Sequence, residues 1–190
     1  MAVTHLHGDH YAGIPFLILD GQFRRRDRSL TIVGPAGTRA RLRAAMDALY
    51  PGMAEIERRF AVHVVELQPS EPAKIEGAIV TGHEVVHASG APALGLQLGY
   101  GGRTVAYTGD TEWTAALPAV ADGADLLVAE AYTWNRRIRY HLDWETLSSH
   151  RAELRCGQLA LTHMSDDMLA KISDLPADVI VAQDGLRISL

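Results

Sequence analysis

Six consecutive residues, His5-Leu6-His7-Gly8-Asp9-His10, carry three imidazoles and a carboxylate. Groups of this kind are costly to bury unless something pairs with them. A fold that accepts the cluster must bring other polar groups to meet it or open a site around it. In an extended chain, residues two apart face the same side, so His5 and His7 can reach one metal ion. Asp9 and His10 follow Gly8, where the backbone can turn and aim at a second ion. Neutral imidazole and carboxylate suit zinc, and also iron or manganese. A His-rich solvated turn is the plainer alternative, and the density of ligand-type groups argues against it.

Six residues supply too few ligands for two sites, so others must come from later in the chain. Apolar, β-rich runs cover Leu30–Val33, Ala61–Leu67, Ala78–Val86, Leu94–Tyr100, Thr104–Tyr107, Asp125–Ala129, Gln158–Thr162 and Asp178–Ala182, with a last short run at Arg187–Leu190. Gly101-Gly102 reads as a hairpin turn. Helical patterns fall at Tyr11–Phe23, Thr38–Tyr50 and Thr114–Ala121. Two more follow Asp143 and Ser165 as caps, running to about Leu154 and to Ile172. Strands joined by hairpins come first and strands alternating with helices come later, which predicts a mixed α+β fold. His87, Asp110, Glu130 and His163 each fall at or just beyond a strand end, where an open sheet presents a site. His83 competes with His87, four residues later. His63 lies inside a strand and His150 on a helix, and both read as non-ligands.

The 190 residues suffice for one domain, 1–190. With 18 Lys plus Arg against 23 Asp plus Glu, the net charge is −5, which weighs against nucleic acid as the main partner. The run Arg24-Arg25-Arg26 reads as a solvated helix end. Cys156 is the only cysteine; it reads as a buried, inert thiol, consistent with a reducing compartment. No basic leader or long apolar run is visible, so a cytoplasmic protein with no membrane partner is expected.

The sequence resembles the metallo-β-lactamase-fold hydrolases. The resemblance rests on Thr4-His5-Leu6-His7-Gly8-Asp9-His10, Gly95-Leu96-Gln97-Leu98, Tyr107-Thr108-Gly109-Asp110-Thr111, Glu130-Ala131, His141-Leu142, Leu161-Thr162-His163 and Asp184-Gly185. It implies an αββα four-layer sandwich with a dinuclear site at one edge. It assigns His5, His7 and His87 to one metal, Asp9, His10 and His163 to the other, and Asp110 as the bridge. The two ions are expected to be Zn2+, with Mn2+ and Fe2+ as alternatives. Within the family the sequence looks most like the ribonuclease Z and phosphodiesterase branch, which pairs a glutamate with a further histidine, here Glu130 and His141.

The implied chemistry is attack on phosphorus or a carbonyl carbon by a hydroxide shared between two metals about 3.5–4 Å apart. Asp9 holds a metal and orients that nucleophile, while His141, oriented by Glu130, serves the leaving oxygen. Asp9, Glu130 and His141 are therefore the catalytic candidates. Two departures from the family stand out. The motif begins only three residues into the chain, so the first N-terminal strands are expected to be missing. The segment between His87 and Asp110 is a short hairpin, where transfer-RNA-processing members carry a long arm. Hydrolysis of small phosphodiesters or related esters is the leading expectation. The alternatives are ribonuclease Z-like 3′ processing of transfer RNA, lactone or thioester hydrolysis, and an inactive metal-binding fragment; a diiron redox role lacks a flavin domain. A homodimer remains open.

Overall fold

The computed structural model describes residues 1–190. The chain divides into two compact units. The first comprises Met1–Gln68 with Ser89–Pro92, and the second Pro69–Ala88 with Ala93–Leu190.

In the first unit a short helical turn, α1 (Gly8–Tyr11), leads into α2 (Gly13–Phe23). Pro15 sits in the first turn of α2, where its missing N–H leaves no bond unmade. Strand β1 (Leu30–Gly34), helix α3 (Thr38–Leu49) and strand β2 (Val62–Glu66) follow. β1 and β2 pair in parallel, from Leu30 opposite Val62 to Gly34 opposite Glu66. The first residues run beside β1: Val3 N–H donates to the Val33 carbonyl at 2.8 Å, and Val33 N–H to that of Met1 at 2.9 Å. That pairing fixes where the chain leaves the sheet at Thr4. Val3, Leu6, Ile14, Ile18, Ile32, Leu42, Met46 and Phe60 form the core of this unit. Leu42 and Met46, four apart, are the buried stripe of α3.

The second unit is built on seven strands hydrogen-bonded in sequence order. They are β3 (Ala73–Ile75), β4 (Ala78–Val85), β5 (Ala93–Tyr100), β6 (Arg103–Tyr107), β7 (Ala124–Glu130), β8 (Cys156–Thr162) and β9 (Val179–Val181). Pairing is antiparallel from β3 to β6 and parallel from β6 to β9. The switch follows from the connections. Gly101 and Gly102, at φ 59° and 79°, close a two-residue hairpin between β5 and β6. The later connections carry helices, α4 (Leu117–Ala121), α5 (Trp144–Ser149) and α6 (Asp166–Leu169), as parallel crossovers require. Leu117, Val120, Leu127, Leu142, Leu147, Leu159, Leu161 and Met168 fill the core. No helix of the chain is long and apolar enough to cross a membrane.

Asp143 caps α5 as its sequence suggests, accepting from Thr146 N–H at 2.9 Å and from its hydroxyl at 2.7 Å. The helix nevertheless stops at Ser149, and a 3-10 turn (Arg151–Glu153) replaces its expected second half. The chain must reverse there to enter β8 at Cys156. Ser165 makes no side-chain cap bond, and α6 ends at Leu169. The run Arg187–Leu190 pairs with nothing and is not a strand. An alternating pattern without a ladder partner leaves its backbone to water.

Gly95 shows how closely helix and sheet approach in this unit. A Cβ there would lie 2.7 Å from Val120 Cγ2 and 3.4 Å from the Thr108 carbonyl oxygen. Val120 is fully buried and cannot swing aside. Gly95→Ala is expected to destabilise the protein by about 1–3 kcal/mol through overpacking. Urea denaturation of both forms checks this, and an unchanged midpoint would contradict the close packing.

Candidate metal centre

The first unit presents its four ligand-type residues from a bend followed by a helical turn. His5 is fully buried, with Nδ1 3.1 Å from the Thr4 hydroxyl. His7 is the extended residue that precedes α1. The imidazoles of His5 and His7 meet edge to face at 5.1 Å, and those of His5 and His10 at 4.1 Å. Gly8 starts the turn, so Asp9 and His10 leave the line of His5 and His7, as the glycine suggests. Asp9 is exposed and lies 3.3 Å from His10 Nε2. What little burial Asp9 has pushes its carboxyl up, but its own backbone N–H and the imidazoles of His10, His7 and His5 bring it below the usual carboxylate range.

The second unit gathers its share at the C-terminal ends of β6, β7 and β8. The register places Tyr107 opposite Val128 and Glu130 opposite Thr162. Asp110, three residues past β6, Glu130, the last of β7, and His163, just past β8, therefore reach one edge together. Glu130 has no exposure to solvent. Its Oε1 accepts from Nδ1 of His163 at 3.0 Å and makes a very short contact with Nδ1 of His141. Its Oε2 accepts from the backbone N–H of Thr111 at 2.9 Å and of Leu142 at 3.2 Å. The Thr108 hydroxyl accepts from the Glu130 N–H at 3.0 Å, tying the end of β6 to that of β7.

This network sets the protonation of its members. Burial pushes the Glu130 carboxyl up, yet the bonds from His141, His163 and Thr111 outweigh it and hold the group below its ordinary value. The bond to Glu130 raises His141, against the opposing effect of its burial. Tyr107, half-buried beside Asp110 and Glu130, is pushed up to about 12, first by burial and then by those charges, so its hydroxyl stays protonated. With Nδ1 of both imidazoles committed to Glu130, the rings lie nearly parallel, 5.6 Å apart, and His163 turns Nε2 to within 3.5 Å of Asp110 Oδ2.

His87 belongs to the same unit, two residues past β4. Its Nδ1 bonds the Tyr140 carbonyl at 2.9 Å, and its ring meets His141 edge to face at 5.1 Å. Its segment is pinned to the Asp110 loop, since Val86 N–H donates to the Thr111 hydroxyl at 3.1 Å and Glu112 N–H to the Val86 carbonyl at 3.2 Å. Tyr140 and His163 hold left-handed backbones, at φ 72° and 54°. Non-glycine residues there cost on the order of 1–3 kcal/mol each and persist only where surroundings enforce them. His83 instead remains within β4, and His63 within β2 with its side chain exposed. His150 ends α5, stacks on Trp113 at 4.1 Å and pairs with Glu153 at 2.6 Å. Sequence reasoning missed the Glu130–His163 bond and the carbonyl that holds His87, since both depend on strand register and loop shape.

The donor chemistry suits a divalent cation. One ligand atom from each of Asp110, Glu130, His141 and His163 lies within 4.8 Å of the others, a mix of imidazole and carboxylate. Both Glu130 oxygens already accept hydrogen bonds, which suits an orienting role better than a ligating one. Glu130→Gln replaces an acceptor shared by two imidazoles with an amide that can satisfy one. The variant is expected to lose metal affinity or activity by about 10–100-fold. Chelator-competition titration measures this, and unchanged affinity and turnover would refute the orienting role.

Comparison with known proteins agrees with this geometry. A model of the beta-lactamase superfamily domain matches residues 1–164. A ribonuclease Z of Shouchella clausii is 27% identical over 96% of this chain and 76% of that protein. A ribonuclease Z of Methanosarcina acetivorans is 35% identical over 96 residues, half of this chain but 29% of that protein. The metallo-beta-lactamase fold protein YhfI of Bacillus subtilis superposes with a TM-score of 0.73 at 19% identity, covering 97% of this chain and 74% of its own. The histidine-rich turn, the carboxylate–imidazole network at the sheet edge and these matches converge: the chain belongs to the beta-lactamase superfamily domain family, and it is a metal-dependent hydrolase with the metallo-β-lactamase fold.

Proposed function

We propose that this hydrolase cleaves small phosphodiesters or related esters at a centre of two divalent metal ions, with zinc the first choice. His5, His7 and His87 would hold one ion, Asp9, His10 and His163 the other, and Asp110 would bridge them. Family membership and the order of the motifs along the chain support that assignment. The observation that carries the reading is the shared Glu130 carboxylate, which fixes the imidazoles of His141 and His163 by their Nδ1 atoms.

When bound, two divalent ions supply Lewis acidity and a nucleophile at neutral pH. The protein's own residues divide the remaining work. Asp9, an exposed carboxylate beside the three imidazoles, orients the attacking oxygen. His163, held by Glu130, keeps its Nε2 toward Asp110. His141 stands outside the ligand set, and its Nδ1 is engaged by Glu130. Its Nε2 is the group that gives a proton to the departing oxygen.

Two variants separate these roles. Asp110→Ala removes the bridge and the charge that offsets the ions, so it is expected to purify with less metal than His141→Ala. His141→Ala should keep its metal, up to two ions per chain, while turnover falls by about 10²–10⁴-fold, the usual contribution of a general acid. Elemental analysis beside turnover decides this. A His141→Ala protein emptied of metal would reverse the assignment.

The relatives named ribonuclease Z favour a second reading, 3′ processing of transfer RNA. Grip on a large polyanion comes mostly from phosphate contacts. This chain has 18 Lys plus Arg against 23 Asp plus Glu, and β5 and β6 between His87 and Asp110 are joined by only Gly101 and Gly102. Bis(p-nitrophenyl) phosphate is therefore expected to be turned over better than precursor transfer RNA is processed. Efficient, salt-sensitive 3′ cleavage of the RNA would overturn that preference.

A further inference from the structure

Beside His141 the second unit opens a cavity of about 450 Å³, large enough for a nucleotide-sized group. Arg137, Arg139 and His141 line it together with Trp113, His150 and Glu112. The two arginines belong to Trp134-Asn135-Arg136-Arg137-Ile138-Arg139-Tyr140, which has three arginines in seven residues and no acid. Arg137 and Arg139 are exposed, and neither forms an ion pair with a carboxylate. The cavity's own acids are otherwise occupied. Glu112 accepts from the Tyr140 N–H at 3.3 Å, and Asp143 spends both oxygens on Thr146.

The segment is held rather than loose. Tyr140 has a left-handed backbone, its carbonyl bonds His87 Nδ1, and its ring lies 4.6 Å below the Arg139 guanidinium. The His141 N–H donates to the Ile138 carbonyl at 3.1 Å, closing a turn on which Arg139 rides. Trp113 and His150, stacked within 12° of parallel, give the cavity an aromatic wall. Two guanidinium groups without acidic partners, lining the same cavity as His141, have the chemistry of a phosphate clamp.

We propose that this cavity receives the leaving group of the substrate and that Arg137 and Arg139 bind a phosphate carried by that group. The preferred substrate class is then a small phosphodiester whose departing half bears a further phosphate, such as a phosphorylated dinucleotide. The proposal rests on the hydrolase reading above, and its test has one arm that does not.

The first arm is calorimetric titration of the metal-loaded protein with thymidine 3′,5′-bisphosphate, for wild type and the double variant Arg137→Ala/Arg139→Ala. Circular dichroism and the melting temperature confirm that the variant is folded. Affinity is expected to fall about 10–100-fold, the worth of one or two charge-assisted hydrogen bonds. Equal affinity would overturn the proposal even if the protein hydrolyses nothing. The second arm measures kcat/KM for the dinucleotides TpT, pTpT and TpTp. The one whose extra phosphate leaves with the departing nucleoside, identified from the products, is expected to exceed TpT by about tenfold or more. In the double variant that ratio should fall to near one. A ratio unchanged by the variant would overturn the proposal, as would a loss confined to precursor transfer RNA. A wild-type protein inert toward bis(p-nitrophenyl) phosphate as well would refute the hydrolase reading separately.

Discussion

A carboxylate sealed from water needs several donors to remain charged, and Glu130 has four: two imidazole nitrogens and two backbone N–H groups. Moving such an ion out of water costs several kcal/mol even after the surroundings relax. The donors come from separate stretches of chain: the loop after β6, the Leu142 segment and the end of β8. Each stretch is held in place because releasing it would strand a buried charge. The geometry at the sheet edge is thereby enforced by electrostatics as well as by the strand ladder. The same balance explains why Glu130 stays below its ordinary value despite burial, whereas Tyr107, half-buried nearby without comparable donors, moves the other way.

The parallel half of the sheet makes this possible. Strands β6, β7 and β8 run in one direction, so their C-terminal ends lie side by side and each can contribute one side chain. The antiparallel half contributes differently. The chain runs two residues past β4 to place His87, and bonds between Val86 and the Thr111–Glu112 segment hold that extension. The two left-handed residues, Tyr140 and His163, lie where the chain must turn sharply without losing contact with the network. Their strain is offset by the bonds that the turn allows, chiefly from His163 to Glu130 and from His87 to the Tyr140 carbonyl.

Much of this was legible in the sequence, and for identifiable reasons. The cluster His5–His10 is local, so its meaning survives without a fold. Apolar runs located eight of the nine strands; β3, three residues long with Lys74 at the sheet's edge, carried too little pattern to see. Arg24 and Arg25 do end α2 in solvent, with Arg24 paired to Asp20 at 2.9 Å, whereas Arg26 is half-buried and bonds the Arg28 and Ser29 carbonyls. Cys156 is half-buried, and burial raises its thiol, in keeping with an inert group. Less visible were features that depend on register. The partnership of Glu130 with His163 joins residues 33 apart and exists only because β7 and β8 align Glu130 with Thr162. The expected strand at Arg187–Leu190 failed for the complementary reason, a pattern with no neighbour to pair with.

Net charge bears on the grip of a large polyanion but says little about any single pocket. A formal charge of −5 describes the field far from the protein, where salt screens it within about 10 Å. Near the sheet edge the relevant charges are local. Glu130 is bonded to two imidazoles, Asp143 to the helix start it caps, and Glu112 to a backbone N–H, so each of these carboxylates already has an internal donor. Arg137 and Arg139 have no such internal partners. An acidic chain can thus present guanidinium groups to a ligand, because hydrogen bonding inside the protein already engages the nearby carboxylates and leaves Arg137 and Arg139 without an acidic partner.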